Sequence, residues 1–489
     1  MTTESNESME LETVESGTWW SRPFGGRDVW RVALPLIISM GSFSLMNFVD
    51  RAFLARFDPD AMAAALPSGV FYFTMLCLPL GIIGYANTFV AQYYGAKRPE
   101  KVGVAVGQAF KIGLLLGPFY LLFIPAAPYI FDFFQHDPRL AQFETTYLQW
   151  LCVGAGGILI CESFSAYFTG RGRSRPVMVI TVTAVCVNIC LDWVMIFGHF
   201  GFPEMGVGGA ALATALSQWL RAFLFIIWMR LETTTWHRYK LWHGFWTFDR
   251  ALFRRLLRYG GPNGLQLFVE VGGFTLFTLL VGQLGRVEMT ATTLAFTINN
   301  MAFLPLLGIS IAVSSLVGQG IGRDRPDLAA RATWTASIMA FAYMGLMTVL
   351  YLSIPKILFM AHAPKDSEEL ALVIPTAIVL MRFVAAYSLL DAANMVFAAA
   401  LKGAGDTRFV LGVTAIMSTC LPLGVWASIN HFQWGLYGAW SFVTLWVCSL
   451  GIIYWLRFLQ GRWRHMKVIE PEAAAVSAYL SEEGRNLPI

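Results

Sequence analysis

The sequence of 489 residues has little charge, since Asp, Glu, Lys and Arg together make up only 13% of it. Soluble globular domains carry about 25% charged residues. Hydrophobic residues take their place, at 56% of the chain and a mean hydropathy of +0.57. A soluble globular fold is therefore excluded. The repeated apolar runs predict an all-α protein that crosses a membrane several times.

Several common functional motifs are also missing. The seven cysteines lie inside apolar runs without a CxxC pair or a Cys/His metal spacing, which argues against a zinc site or a disulfide framework. No P-loop occurs, so ATP-driven export is unsupported. The N-terminus lacks the basic and apolar regions of a cleavable signal peptide. Because it is acidic and polar, we expect residues 1–28 to form a disordered cytoplasmic tail.

Twelve apolar runs are long enough to cross a bilayer, for which about 20 residues suffice. The longest polar interruption, residues 230–257, divides them into two groups of six. We therefore predict an N-terminal lobe at 29–229, a cytoplasmic linker at 230–257, a C-terminal lobe at 258–460 and a cytoplasmic tail at 461–489. The predicted spans are 32–55, 64–91, 107–131, 145–169, 176–198, 207–229, 258–284, 290–317, 330–354, 371–401, 409–429 and 436–459.

The basic residues are distributed unevenly between the loops. If both termini are cytoplasmic, 26 of the 35 Lys and Arg residues fall in inside segments and 6 in outside segments. Cytoplasmic loops of membrane proteins carry such an excess. This bias predicts a multi-pass protein of the cytoplasmic (inner) membrane with both termini inside. The remaining three basic residues, Lys111, Arg221 and Arg382, lie within predicted spans.

The two halves of the chain repeat each other. VAQYYGAKRP at 90–99 corresponds to VGQGIGRDRP at 317–326, an offset of 227 residues. FTGRGRSR at 168–175 corresponds to LKGAGDTR at 401–408, an offset of 233. Because six spans is an even number, both halves have the same topology, which predicts two pseudo-symmetric six-helix bundles around a central cleft. We interpret the repeated Gly, Pro and basic residues as turn and topology signals.

Polar side chains inside the spans are candidates for a functional site. An ionised Asp at the centre of a membrane helix costs about 2.5–3.5 kcal/mol, so such a residue normally serves a purpose. Asn188 and Asp192 are spaced i, i+4 and share one helix face. The set comprises Asp50, Asn188, Asp192 and Thr214 in the first half and Glu270 and Asp391 in the second, with Asn47, Asn299, Asn300 and Asn394 as accessory candidates.

The acids of this set do not follow the repeat, since Asp50 corresponds to Phe277 in the second half. None has a basic residue one turn away on its own helix. Carboxylates in a low dielectric without a fixed cation either take up a proton or bind a mobile cation. Oxygen ligands suit Na⁺, which could bind at Asp50, Asn188 and Asp192, and H⁺ is the alternative. Glu162 stands alone in the fourth span and is expected to contribute little.

The chain resembles the multidrug and toxic compound extrusion (MATE) transporters, most closely their bacterial NorM-like branch. The matching stretches occur in order over about residues 28–460: FVDRAFLA, VAQYYGAKRP, GRGRSRP, VNICLDWVMIFG, GFPEMGVGGAALAT, LFVEV and LLDAANMVFAAALKGAGDTR. The resemblance implies a secondary antiporter that exports small organic cations in exchange for Na⁺ or H⁺. It also implies an N-lobe cation site at Asp50, Asn188, Asp192 and Thr214, and C-lobe acids at Glu270 and Asp391. Arg51 departs from the family pattern, in which a small residue is more common.

With this resemblance we expect a transporter that functions as a monomer in the lipid bilayer, with no enzymatic activity, no nucleic acid partner and no cofactor besides the coupling ion. The main alternative is a lipid-linked precursor flippase of the same superfamily. A flippase would need a basic cavity for phosphates, whereas the charge within the spans is mostly acidic. An intramembrane aspartyl protease, suggested by GAGD at 403–406, needs two membrane-embedded aspartates, and Asp406 falls in a basic turn.

The charge distribution predicts the topology directly. A reporter enzyme that is active only outside the cytoplasm should stay silent when fused after Trp463 and should be active when fused near His136. Measuring each fusion separately in the same host strain, with activity normalised to the amount of fusion protein, controls for expression. Activity at Trp463 together with silence at His136 would reverse the assigned orientation.

Overall fold

The computed structural model describes residues 18–133, 137–360 and 368–471. Twelve helical segments of this part of the chain are long and apolar enough to cross a membrane, which confirms the predicted number of spans. Much of both predicted tails, and the reporter position His136, lie outside the described residues.

The helices fall into two bundles joined by a linker. The first bundle consists of α1 (Gly26–Phe57), α2 (Pro59–Gly84), α3 (Ala86–Gly95), α4 (Pro99–Leu116), α5 (Phe123–Phe133), α6 (Pro138–Gly170), α7 (Arg175–Phe197) and α8 (Val207–Leu231). The linker contains α9 (Thr233–Arg238) and α10 (Leu241–Trp246). The second bundle consists of α11 (Arg250–Gly282), α12 (Arg286–Gly322), α13 (Pro326–Ser353), α14 (Pro355–Met360), α15 (Glu368–Ala404), α16 (Thr407–Asn430) and α17 (Gly435–Leu459).

Most helices extend beyond the apolar runs that predict them. The helix α11 begins at Arg250, eight residues before the predicted span, and its first turn is capped by the side chain of Asp249. Hydropathy marks only the part of a helix that lies in hydrocarbon, whereas backbone hydrogen bonding continues into the polar boundary. The segment between the two bundles is therefore shorter than the polar interruption in the sequence.

The linker helices are docked firmly on α4. A Cβ atom on Gly107 would lie only 1.9 Å from the carbonyl oxygen of Gly244, so the two backbones are in direct contact. The ammonium group of Lys111 donates to the carbonyl oxygens of Gly244 at 3.2 Å and Thr247 at 2.8 Å. A cation at the C-terminus of a helix neutralises its partial negative charge. Lys111, a charge within a predicted span, thus holds the linker on the first lobe.

The two lobes meet through helix pairs that the repeat relates. The helix α2 packs against α11, and α12 packs against α1. An offset of 227 residues converts α1 into α11 and α2 into α12, so each contact is the symmetry counterpart of the other. The internal repeat of the sequence is thus present as a pseudo-twofold arrangement of the two bundles.

Two glutamines join the lobes at the end that carries the basic turns. The amide nitrogen of Gln92 donates to the carbonyl oxygen of Gly403 at 3.1 Å. The amide nitrogen of Gln319 donates to the carbonyl oxygen of Gly170 at 2.9 Å. The repeat relates Gln92 to Gln319 and Gly170 to Gly403, so these two hydrogen bonds also form a symmetric pair.

Two glycines allow the glutamines to approach. A Cβ atom on Gly95 would lie 2.2 Å from the carbonyl oxygen of Gln319, and one on Gly322 would lie 2.1 Å from that of Gln92. We call the residues of this contact the glutamine–glycine seam: Gln92, Gly95, Gly170, Gln319, Gly322 and Gly403. The sequence indicates turn and topology signals in these repeated stretches, and the structure shows that they also hold the two lobes together at this end.

Substituting Gly95 or Gly322 by alanine should destabilise the closed seam. Alanine in a helix is normally more stable than glycine, but here the added methyl group would overlap a carbonyl oxygen of the opposite lobe. We expect each variant to lose about 1–3 kcal/mol, the usual cost of overpacking. The measurement is thermal unfolding of the purified protein in detergent.

The matched control is Gly412→Ala, because a Cβ atom at that helical position meets no neighbouring atom within 4 Å. It should unfold at or slightly above the temperature of the unmodified protein. Equal unfolding temperatures for the seam variants and this control would contradict the role assigned to the two glycines.

Candidate functional site

Two predicted acids come together inside the first lobe. Asp50 of α1 and Asp192 of α7 are buried, with 5% and 0% of their surface exposed. The two helices pack against each other, and the carboxyl groups face each other within hydrogen-bonding range. Two ionised carboxylates this close repel strongly in a low dielectric. The pair therefore requires a proton or a cation between its members.

Asn188 orients one member of this pair. In the amide orientation that satisfies both neighbours, its nitrogen donates to Oδ2 of Asp192 at 3.2 Å and its oxygen accepts from the backbone N–H of Thr214 at 3.3 Å. Asn188 lies one turn before Asp192 on α7, and Thr214 comes from α8. The structure thus brings together the four residues of the predicted N-lobe site.

Three oxygen atoms of this site are buried and make no hydrogen bond within the described part of the protein. They are Oδ1 of Asp50, Oδ1 of Asp192 and the hydroxyl of Thr214. Leaving a buried polar atom unsatisfied costs about 1–3 kcal/mol, and more for a charged group. Free oxygens next to a carboxyl pair are therefore poised to accept a proton or a cationic group.

A tyrosine that sequence reasoning missed lies beside the pair. Tyr147 of α6 is buried and interacts electrostatically with both Asp50 and Asp192. Aromatic residues at helical spacing usually belong to the core, so nothing in the pattern of α6 distinguishes Tyr147 from its neighbours. Only the packing of α6 against the rest of the lobe reveals its position.

The acids of the second lobe form a separate cluster. The amide nitrogen of Gln266 donates to Glu270 at 3.2 Å on α11, and that of Asn394 donates to Asp391 at 3.4 Å on α15. Glu270 and Asp391 interact electrostatically with each other. Each acid is therefore held by an amide on its own helix, and the predicted accessory residue Asn394 is one of the two.

Two in-span acids have basic partners on neighbouring helices. Lys402 of α15 acts electrostatically on Glu270 of α11. Arg221 of α8 acts in the same way on Glu162 of α6. Neither base lies one turn away from its acid on the same helix, so residue spacing does not reveal these pairs. Glu162 thus has a basic partner on another helix, while its expected small contribution to transport stays a prediction.

The other accessory candidates differ in their surroundings. The amide of Asn299 on α12 donates to the hydroxyl of Tyr387 at 3.4 Å, and Tyr387 interacts electrostatically with Asp391. The side chains of Asn47 and Asn300 are exposed. Asn299 thus belongs to the second-lobe cluster, whereas Asn47 does not join the buried pair at Asp50.

The described residues contain no second site at which side chains could bind a metal ion. No group of three or more His, Cys, Asp or Glu side chains there could hold a metal ion. The N-lobe pair supplies two carboxylates with one amide and one hydroxyl nearby, a set that suits exchange of a small monovalent cation.

Comparison with known proteins matches this arrangement to one family. The MatE family model matches residues 35–194 and 262–426, two blocks that begin at the repeat-related Pro35 and Pro262. The probable multidrug resistance protein NorM of Mesorhizobium japonicum is 29% identical over 452 residues, covering 91% of this chain and 94% of that protein. The multidrug resistance protein PmpM of Pseudomonas aeruginosa is 26% identical over 462 residues, covering 92% and 95%.

A solved structure has the same fold. It is described as the outward-facing conformation of a multidrug resistance MATE family transporter of the MOP superfamily, and it matches with a TM-score of 0.80 at 20% identity, covering 89% of this chain and 95% of that one. The family match extends over most of both lobes. The chain therefore belongs to the MatE family, the multidrug and toxic compound extrusion transporters, and is a multi-pass membrane transporter of the NorM-like branch.

Proposed function

We propose that the protein is a secondary antiporter that exports small organic cations across the cytoplasmic membrane in exchange for an inward flow of H⁺ or Na⁺. The observation that carries this proposal is the buried pair of Asp50 and Asp192, each with an oxygen that makes no hydrogen bond within the described residues. A buried pair that cannot stay doubly ionised must exchange its occupant as its surroundings change.

A proton suits the N-lobe pair better than Na⁺. The amide of Asn188 turns its NH₂ group toward Asp192 and its oxygen toward the backbone of Thr214. In this orientation its oxygen points away from the pair, so binding Na⁺ as a third ligand would require the amide to turn over. A proton needs only the two facing carboxyl groups, which could share it as carboxyl pairs do in other proteins. We therefore favour H⁺ as the coupling ion at this site.

Antiport follows if the coupling ion and the substrate compete for the ionised pair of Asp50 and Asp192. The ionised pair attracts an organic cation, and the protonated pair does not. A ligand shifts a conformational equilibrium only through its differential affinity for the two states. Proton binding from the outside would thus release the substrate there and leave a neutral site for the return step.

The charge inside the lobes also favours a cationic substrate over a phosphate-bearing one. The half-buried bases Arg221 and Lys402 each interact with an acid, Glu162 and Glu270 respectively. They are thus partly neutralised and poorly suited to bind phosphate, which disfavours the lipid-linked precursor flippase. Asp50, Asp192 and Asp391 remain as net negative charge when ionised.

Replacing Asp50 or Asp192 by asparagine should abolish gradient-driven efflux while the protein still inserts and folds. The amide keeps the shape of the side chain and removes a buried charge, which rarely harms folding. It can neither take up the proton nor attract the cation. The measurement is dye efflux from vesicles driven by an imposed H⁺ gradient, normalised to protein content, with a parallel Na⁺ gradient to identify the ion.

The control is Asp60→Asn, because Asp60 is an exposed carboxylate ten residues from Asp50 in the same lobe. Efflux in this variant should match the unmodified protein. Unimpaired efflux in both Asp50→Asn and Asp192→Asn would reject the N-lobe site and shift the assignment to Glu270 and Asp391.

The net negative charge predicts the class of substrate. Cells that express the protein should resist monovalent organic cations, such as ethidium-like or quaternary ammonium dyes, and should remain sensitive to anionic compounds of similar size. Growth inhibition in the presence of each class measures this. Resistance confined to anionic compounds would show that the transport site does not select its substrate by negative charge.

A further inference from the structure

The segment that follows the last membrane helix turns back toward the glutamine–glycine seam. After α17 it forms a 3₁₀ turn at Arg462–His465. The ring of Trp463 is buried, stacks on Phe458 with 4.8 Å between ring centroids, and donates its Nε1–H to the carbonyl oxygen of Phe458 at 2.9 Å. These contacts fix the beginning of the segment on the second lobe.

The backbone of Val468 contacts the first lobe at the seam. Its N–H donates to Oε1 of Gln92 at 2.9 Å, while Nε2 of Gln92 donates to the carbonyl oxygen of Gly403 in the second lobe. Both ends of this amide are therefore occupied. The side chains of Val468 and Ile469 are buried, which places this part of the segment inside the contact and not on its surface.

Glu470 connects both lobes through its carboxylate. It accepts a hydrogen bond from the hydroxyl of Tyr93 on α3 at 2.8 Å and pairs with Arg255 on α11. Arg98, just before α4, lies 3.6 Å from the carboxylate and donates to the backbone carbonyl of Glu470 at 3.1 Å. Two partners thus belong to the first lobe and one to the second.

The carboxyl group of Glu470 is ionised, which strengthens its contacts with both lobes. Burial alone would raise the pKa of its carboxyl group, but backbone hydrogen bonding, the Tyr93 hydroxyl and the Arg255 guanidinium outweigh it and hold the pKa below its usual value. The group is therefore ionised at neutral pH, and its hydrogen bonds are charge-assisted and stronger than neutral ones.

Among the described residues, the first half shows no equivalent of this bridge. In the repeat, the place of the segment after α17 is taken in the first half by the segment after α8, which forms the linker helices α9 and α10. That linker packs on α4 of its own lobe, whereas the C-terminal segment reaches across the seam. The bridge is thus an addition to the symmetric contact between the lobes.

We propose that residues 467–470, which we call the C-terminal clasp, hold the two lobes closed at this end, and that Glu470 is a positioning residue of the transport cycle. The clasp must detach before the lobes can separate here to admit a substrate. This inference rests on the proposed function, in which the two ends of the cleft open in turn. The clasp stabilises only the closed state, so it sets the ratio between the closed and open states.

The test measures the distance between the lobes. Spin labels at Glu100 on α4 and Arg408 on α16, both exposed positions, report this distance in a cysteine-free background. Hydrogen bonds to charged groups contribute enough that losing the Glu470 carboxylate should raise the ratio of open to closed molecules about tenfold. Glu470→Gln should therefore broaden the distribution toward longer distances, and a chain truncated after Met466 should do so at least as strongly.

The matched control is Asp327→Asn. Asp327 forms an ion pair with Arg325 at 2.8 Å, at the same end of the molecule but within one lobe. This variant should leave the distances unchanged. Identical distributions for Glu470→Gln, the control and the unmodified protein would overturn the clasp. If the truncated chain does not fold, Glu470→Gln decides the question alone.

The distance measurement needs neither an ion gradient nor a substrate, so it fails or succeeds independently of the transport assay. A shift in Glu470→Gln supports the clasp even when efflux of cationic dyes is absent, a result that would refute only the proposed antiport. Normal distances in Glu470→Gln together with vigorous efflux by the unmodified protein would refute only the clasp.

Discussion

Charge buried among apolar helices is the constraint on which this structure depends. Each in-span carboxylate needs a neighbour that offsets the loss of hydration, because an isolated ion in a low dielectric is strongly disfavoured. Glu162 and Glu270 have basic residues from neighbouring helices, and Asp391 has an amide on its own helix. Asp50 and Asp192 instead face each other. Asn188 and Arg51 offset part of the charge of this pair, but two carboxylates so close together still need a proton or a cation between them.

Some parts of the molecule follow the internal repeat, and others do not. The contacts between the lobes follow the repeat, as the hydrogen bonds of Gln92 and Gln319 illustrate. The acids do not follow it, and neither do the chain segments after α8 and after α17. The symmetric frame gives the two lobes matching contacts across the cleft, whereas the asymmetric segments and acids distinguish one lobe from the other.

The sequence was sufficient for the fold because the signals involved are long and local. Twelve apolar runs, their basic turns and the repeat of Val90–Pro99 determine the number of helices and their two-lobe arrangement. The grouping of Asp50 with Asn188, Asp192 and Thr214 came from a family resemblance, and the structure places these residues together. Residue spacing alone predicts only one part of this grouping, which is that Asn188 and Asp192 share a helix face because they are four residues apart.

What the sequence could not supply are contacts between helices that are distant along the chain. The pairs Glu162–Arg221 and Glu270–Lys402 join different helices, and no one-dimensional pattern reports their distance. The same holds for Tyr147, whose pattern is that of any core aromatic residue. Lys402 lies near the end of α15 and reads as a topology signal, although its charge acts on an acid of another helix.

The glutamine–glycine seam has a consequence for how the protein tolerates variation. Its acceptors are backbone carbonyl oxygens of Gly170 and Gly403, which every amino acid possesses. No single codon change can remove them. The side-chain requirements of the contact are therefore limited to the two amide donors and to the few positions where a side chain would not fit. A substitution therefore removes these two hydrogen bonds only at Gln92 or Gln319, and it disturbs the packing of the seam where a side chain would overlap the opposite backbone, as at Gly95 and Gly322.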